Sequence, residues 1–176
     1  MYHHKNIRLS PSNYQGKASY FVTLCCHDRQ VTFSNPANCV HLLEILRATS
    51  ASRSFAIHAY CIMPDHVHLL AEGLEPHSDL LNFLKTLKLK SSRAFSSHLN
   101  HPLWQKKYYD HILRPNESPD SVAWYIWLNP VRAGLATHPA EFPFAGSFTT
   151  TIPKTPLRPE PWTHPNFTAL WPFSVV

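Results

Sequence analysis

The sequence predicts an α+β fold in which an antiparallel sheet is backed by amphipathic helices. Three observations carry that reading. Runs rich in aromatic and β-branched residues recur at 18–26, 55–63 and from His66 onward. Two stretches have apolar residues at helical spacing, 35–53 after the first run and 78–95 after the third. The turn Met63-Pro64-Asp65 between the second and third runs is short enough that only a hairpin fits.

Residues 1–17 are basic, and Ser10-Pro11-Ser12-Asn13 marks a loop, so an irregular arm is expected first. The stretch 18–26 (ASYFVTLCC) reads as the first strand, followed by the polar turn His27-Asp28-Arg29-Gln30. Asn35-Pro36 opens a helix in which Cys39, Val40, Leu42, Leu43, Leu46 and Ala48 keep helical spacing to about Arg53. Strict alternation in the second strand would put Phe55, Ile57, Ala59 and Cys61 on one face and His58, Tyr60 and Ile62 on the other.

The third strand opens with His66 and His68, which share a face, while Val67 and Leu69 point the other way; it ends near Glu72-Gly73. Ser78-Asp79 caps a second helix whose Leu80, Phe83, Leu84, Leu87, Ala94 and Phe95 lie on one arc, with Lys85, Lys88 and Arg93 opposite. A fourth strand is expected at 107–113. A shorter helix follows from about Ser118 through Asn129, where Pro130 should end or kink it, with Gly134 the next stop signal. The order β-α-β-β-α-β is the ferredoxin-like pattern, with one added helix.

From Thr149 the chain changes character: residues 151–176 hold six of the sixteen prolines, with Trp162, Phe167, Trp171 and Phe173 between them. We expect a domain over 1–148 and a Pro-rich extended tail over 149–176 that lies across it.

At 176 residues one domain with a proper core is expected, and no apolar run approaches the roughly 18 residues of a membrane span. The first fourteen residues are polar and mixed rather than signal-like, which points to a soluble, cytoplasmic protein. Cys25, Cys26, Cys39 and Cys61 form no Cys-x-x-Cys pair and read as buried reduced thiols. The net charge is +5, and residues 78–114 alone hold seven cations (Lys85, Lys88, Lys90, Arg93, Lys106, Lys107, Arg114) against two acids. Such clustering suits a polyanionic partner; a solvated surface is the plain alternative.

Two imidazoles on one strand face make a claw for a divalent metal if a third ligand arrives from elsewhere. Tyr125 and Asn129 stand four apart on a predicted helix and so share a face. If that face meets His66 and His68, Asn129 supplies an oxygen ligand and Tyr125 reaches whatever the metal holds. A metal that polarises and orients a phosphoryl group offsets the weak nucleophilicity of a phenol. The rival nucleophiles Tyr108 and Tyr109 face opposite sides of a strand and lack a ligand-type residue one helical turn away. His58 and His111 read as satisfied sheet histidines, and Asp65 as a turn residue able to support His66.

Taken together, MetProAspHisValHisLeuLeu (63–70), TrpGln (104–105), TyrTyrAspHisIleLeuArg (108–114) and TyrIleTrpLeuAsnProValArgAlaGlyLeu (125–135) closely resemble the Y1 (HUH) transposase superfamily of IS200/IS605 type. The nearest likeness within it is to the REP-associated tyrosine transposases, where REP denotes a repetitive extragenic palindrome. The resemblance implies that His66, His68 and Asn129 hold Mg²⁺ or Mn²⁺ and that Tyr125 becomes linked to a 5′-phosphate as a 3′-hydroxyl leaves. It implies cleavage and rejoining of single-stranded, hairpin-forming DNA at the nucleoid, with a homodimer in some members and a monomer in others. Lys85, Lys88, Arg93, Lys106, Lys107 and Arg114 would contact the DNA. Two departures stand out: many insertion-sequence relatives carry glutamine where this chain has Asn129, and Trp127 replaces a smaller or more polar residue. A non-catalytic DNA- or RNA-hairpin-binding protein on the same fold is the main alternative. A water-activating metallohydrolase would need a Glu base and a third His or carboxylate, which the motifs do not offer.

Overall fold

Met63 pairs with His66 across Pro64-Asp65, so the second and third strands form the hairpin that the short turn demands. The computed structural model describes residues 9–153 and 162–163. The strands β1 (Ser19–Cys25), β2 (Phe55–Met63), β3 (His66–Gly73), β4 (Tyr109–Ile112) and β5 (Ala145–Gly146) form one antiparallel sheet in the order β4-β1-β3-β2-β5. Helix α1 (Pro36–Ser52) connects β1 to β2 and α2 (Leu80–Phe95) connects β3 to β4. Each crossover skips one strand, which is the interleaving that a β-α-β-β-α-β chain needs. After β4 come α3 (Pro119–Trp127) and the one-turn α4 (Asn129–Arg132), and β5 then extends the sheet beyond β2.

The helix starts follow from their caps. The Asn35 side chain accepts the Ala37 N–H at 3.0 Å, with Pro36 in the first turn. At α2 the cap is Asp79, which accepts the Asn82 N–H at 2.9 Å. Ser78 instead donates to the Ser54 carbonyl at 2.8 Å and ties α2 to the chain leaving α1.

The sheet separates two apolar layers. Tyr20, Val22 and Leu24 of β1 and Val67, Leu69 and Ala71 of β3 pack against Leu42 and Leu46 of α1 and Phe83, Leu84 and Leu87 of α2. On the opposite face Phe21 and Leu70 pack under Val122, Ala123, Trp124, Ile126 and Trp127 of α3. Because strand side chains alternate, His66 and His68 fall on the α3 side.

Several expectations need correction. Phe55 and Ile57 belong to the α1/α2 layer, but Ala59 and Cys61 belong to the α3 layer, because β2 bulges between Ile57 and Ala59. The extra residue, His58, shifts the alternation by one, so strict period two fails there. Lys88 is not on the free arc of α2. It follows Leu84 by one turn, is half-buried, and donates to the carbonyls of Gln105 and Lys106 at 2.7 and 3.1 Å. The break expected before Pro130 is present and falls at Leu128, so the helix bearing Tyr125 stops short of Asn129, which opens α4.

Residues 11–14 form a 3₁₀ turn that buries Tyr14 rather than an open loop. All four cysteines are unpaired, with Cys26, Cys39 and Cys61 buried. Residues 1–8 of the basic arm, and 154–161 and 164–176 of the Pro-rich tail, lie outside the described residues. No helix among the described residues is long and apolar enough to cross a membrane.

Candidate active site

Both histidines are almost fully buried and are held by different partners. His66 Nδ1 meets Asp65 Oδ1 at 2.6 Å, and His68 Nδ1 meets Thr23 Oγ1 at 2.9 Å, Thr23 being the residue opposite His68 on β1. Their Nε2 atoms lie 3.1 Å apart. A carboxylate on Nδ1 fixes the proton there and leaves the Nε2 lone pair pointing inward, the usual orientation of a ligating imidazole.

Asp65 is in turn held by Arg29 at 3.2 Å. Burial pushes its carboxyl up, but the hydrogen bond and charge of His66, together with Arg29, outweigh this and leave it below the ordinary value. The loop that aims Arg29 is strained, since Asp28 and Arg29 both adopt positive φ, 46° and 56°. Such conformations cost roughly 1–3 kcal/mol each and persist where surrounding contacts enforce them. The Asp65 carbonyl also accepts the Cys26 N–H at 2.9 Å, pinning the hairpin turn to the end of β1.

Tyr125 on α3 completes the group. Its ring stands edge-on to His68 with centroids 6.4 Å apart and also abuts Phe21 at 5.9 Å. Burial raises the phenol pKa, and the positive charge of Arg132 opposes that rise. The Arg132 guanidinium lies 4.4 Å over the Tyr125 ring and donates to the Tyr125 carbonyl at 2.7 Å. Asn129 is buried, and its side-chain N–H groups donate to the carbonyls of Tyr125 and Ile126, both at 3.0 Å, closing the end of α3. That leaves its side-chain oxygen as the atom suited to a ligand role.

Do these residues fit a divalent ion? Two ligands at right angles around an octahedral ion, each ~2.1 Å from it, would stand ~3.0 Å apart. The 3.1 Å between the two Nε2 atoms is close to that. Two imidazole nitrogens would suit Mn²⁺, or Mg²⁺, only if oxygen donors completed the shell. No three His, Cys, Asp or Glu side chains cluster as ligands among the described residues.

The other candidates separate cleanly. Tyr108 packs into the α1/α2 layer and Tyr109 into the α3 layer, as alternation requires. Tyr109 therefore shares the site's face, but burial pushes its phenol up to about 12, helped by Asp110 and Glu117. His111 is bound to Glu117 at 2.7 Å, and His58 to Glu72 at 2.5 Å, so both are satisfied sheet histidines. Trp127 is buried against Trp124 and donates to the Gly146 carbonyl at 2.9 Å; it fastens α3 to β5.

Of the basic residues, Lys85, Arg93, Lys106, Lys107 and Arg114 are exposed. Lys85 and Arg93 ride on α2, across the sheet from the imidazoles, whereas Arg114 follows β4 and gives its backbone N–H to Glu117 at 2.7 Å. Sequence reasoning gave no role to Thr23, Arg132, Glu117 or Trp162. Arg132 reaches Tyr125 across the break between α3 and α4, which helical spacing alone does not announce.

The site thus sets two buried imidazoles beside a tyrosine carried on a separate helix. The family model described as "Transposase IS200 like" matches residues 14–127, and the chain belongs to that family. Its likeness is to the REP-associated tyrosine transposases in particular. A Haemophilus influenzae protein provisionally named as one is 26% identical over 155 residues, covering 81% of this chain and 86% of that protein. The Escherichia coli REP-associated tyrosine transposase is 25% identical over 93 residues, covering 53% of this chain and 54% of its own length. The solved structure of a REP-associated tyrosine transposase bound to a REP hairpin shares the fold, with TM-score 0.67 and 21% identity over 80% of this chain and 81% of that one.

Proposed function

We propose that the chain cleaves and rejoins single-stranded DNA at hairpins, with Tyr125 as nucleophile and His66, His68 and Asn129 as ligands of Mg²⁺ or Mn²⁺. The observation that carries this reading is the meeting of the Tyr125 ring with His68, whose Nε2 stands beside that of His66. When bound, the ion would polarise the scissile phosphate and orient it for in-line displacement. Tyr125 loses its phenol proton, its oxygen bonds to phosphorus, and the bond to the 3′-oxygen breaks, releasing a 3′-hydroxyl. The phosphotyrosine keeps the energy of the diester, so a second 3′-hydroxyl can reverse the step without a nucleotide cofactor.

Hairpin DNA as the partner is supported by the REP hairpin bound to the structural neighbour. Lys85, Arg93, Lys106, Lys107 and Arg114 are among the exposed cations that could meet phosphates, with Lys85 and Arg93 on the face across the sheet from the imidazoles; Lys88 shapes the 105–106 loop. The Tyr125 ring lies beside His68 of the same chain, which supports a site formed within one copy; light scattering with size exclusion tests whether the chain is a monomer or a homodimer.

Labelled hairpin DNA incubated with Mn²⁺ and run on a denaturing gel should give a covalent protein-DNA adduct that disappears in Tyr125→Phe. An adduct that persists in that variant refutes the assignment of the nucleophile. Tight hairpin binding with no adduct under either metal would favour the non-catalytic reading.

A further inference from the structure

Beside Tyr125 is a slot filled from the C-terminal part of the chain. The indole of Trp162 lies 5.0 Å from the ring of Phe21, 4.9 Å from Tyr125 and 6.2 Å from His111. Its Nε1–H donates to Glu117 Oε1 at 3.1 Å. Trp162 belongs to no helix or strand and packs against the layer under α3 from outside the sheet and helices.

Glu117 is held in place independently of that indole. Its Oε2 accepts the Arg114 N–H at 2.7 Å, and His111 Nε2 spans both oxygens at 2.7 and 2.9 Å. The slot thus combines aromatic walls with a fixed carboxylate at its rim. Unpaired bases are held with the same means, by stacking on aromatic rings and hydrogen bonding along the Watson–Crick edge.

We propose that this slot is a binding site for one unpaired guanine of the DNA strand and that Trp162 occupies it in the guanine's place. The proposal rests on the reading of the chain as a hairpin-DNA enzyme, but not on its chemistry. Indole and purine are both flat fused six- and five-membered rings with N–H at the rim. An ionised carboxylate only accepts hydrogen bonds. Guanine offers it two adjacent donors, N1–H and the exocyclic N2–H. Adenine and cytosine each set one amino donor beside a ring lone pair, which the carboxylate repels, and thymine flanks its single N–H with two carbonyls. Guanine and the indole therefore exclude one another from the slot.

The test is equilibrium binding by fluorescence anisotropy on the full chain, without divalent metal, so that cleavage does not intervene. The probe is a labelled DNA hairpin whose single-stranded flank carries guanine, inosine or adenine at each position in turn. At one position guanine should bind about tenfold more tightly than adenine, the size expected of a well-placed bidentate contact. Inosine, which lacks the N2 amine, should fall between them.

Trp162→Ala should tighten binding of the guanine probe severalfold, and Trp162→Phe, which keeps a ring but no N–H, should do so less. Glu117→Gln, in which an amide replaces one acceptor oxygen, should abolish the preference while the circular dichroism spectrum stays native. Equal affinity for all three bases in the Trp162→Ala chain, or a guanine preference that survives Glu117→Gln, overturns the proposal. A guanine preference in a chain that forms no adduct with Mn²⁺ would support the slot and sink the phosphotyrosine reading alone.

Discussion

The guanidinium of Arg132 lies 4.4 Å above the ring of Tyr125 and is anchored to the same residue's carbonyl at 2.7 Å. Burial raises the pKa of the phenol, and the Arg132 charge is the opposing influence. Removing that charge can only move the pKa further up. Arg132→Ala should therefore slow adduct formation at neutral pH in proportion to the phenolate lost, about tenfold for a tenfold smaller ionised fraction. The alkaline rise of the pH-rate profile should move to higher pH. Arg132→Lys keeps the charge but loses the planar stack and should recover only part of the rate. An unchanged profile in Arg132→Ala would remove the residue from the mechanism.

The histidine pair separates binding from chemistry. Replacing both His66 and His68 by Ala should leave hairpin affinity within a few-fold and abolish the adduct. Mn²⁺ at a hundred times its dissociation constant should stabilise the natural chain by about 2.7 kcal/mol and the double variant not at all. Thermal melts with and without the ion measure this. If hairpin affinity collapsed in the double variant, the strand would be structural.

Asp65 orients His66 without being one of the proposed ligands. Asp65→Asn should lower Mn²⁺ affinity by about 10–100-fold, as loss of such a partner usually does. Calorimetric titration with the ion reads the effect directly. Arg29→Ala should act in the same direction through Asp65, and more weakly.

Glu117 gives an acid transition. Burial raises its pKa, but the Arg114 N–H, His111 and Trp162 together hold it below the ordinary 4.5. A depressed carboxyl contributes stability that is present above 4.5 and is lost as pH falls through the lower folded value. Acidification below pH 4.5 should therefore release the indole and change tryptophan emission, and Trp162→Phe should lack that component.

Trp127 should prove structural. Trp127→Phe keeps most of the buried ring but loses the hydrogen bond to Gly146 and should cost about 1 kcal/mol by urea unfolding. Adduct formation by the folded fraction should be nearly unchanged.

Much of the fold was legible because local signals agreed with one another. Asn35-Pro36 fixed the start of α1, the two-residue turn fixed the hairpin, and period-two alternation put His66 and His68 on one face. The bulge at His58 was not legible, because Phe55, Ile57, Ala59 and Cys61 alternate without a break and only the pairing to β3 reveals the extra residue. Lys88 was misplaced for a related reason: the apolar arc of α2 was clear, but the partner at its flank, the 105–106 carbonyls, is remote in sequence. Tyr125 stood out through motif context. Arg132 and Trp162 did not, since their contacts arise from a helix break and from a segment beyond the last strand.

The bulge in β2 also governs clearance. It presents the small side chains of Ala59 and Cys61 to α3 and turns Tyr60 and Ile62 toward α1 and α2. With unbroken alternation the phenol of Tyr60 would stand under α3 as a prop and lift the helix off the sheet. One surplus residue, some distance along the strand from either histidine, thus acts as a shim in reverse: it thins the layer beneath α3 enough for Tyr125 to reach its partners.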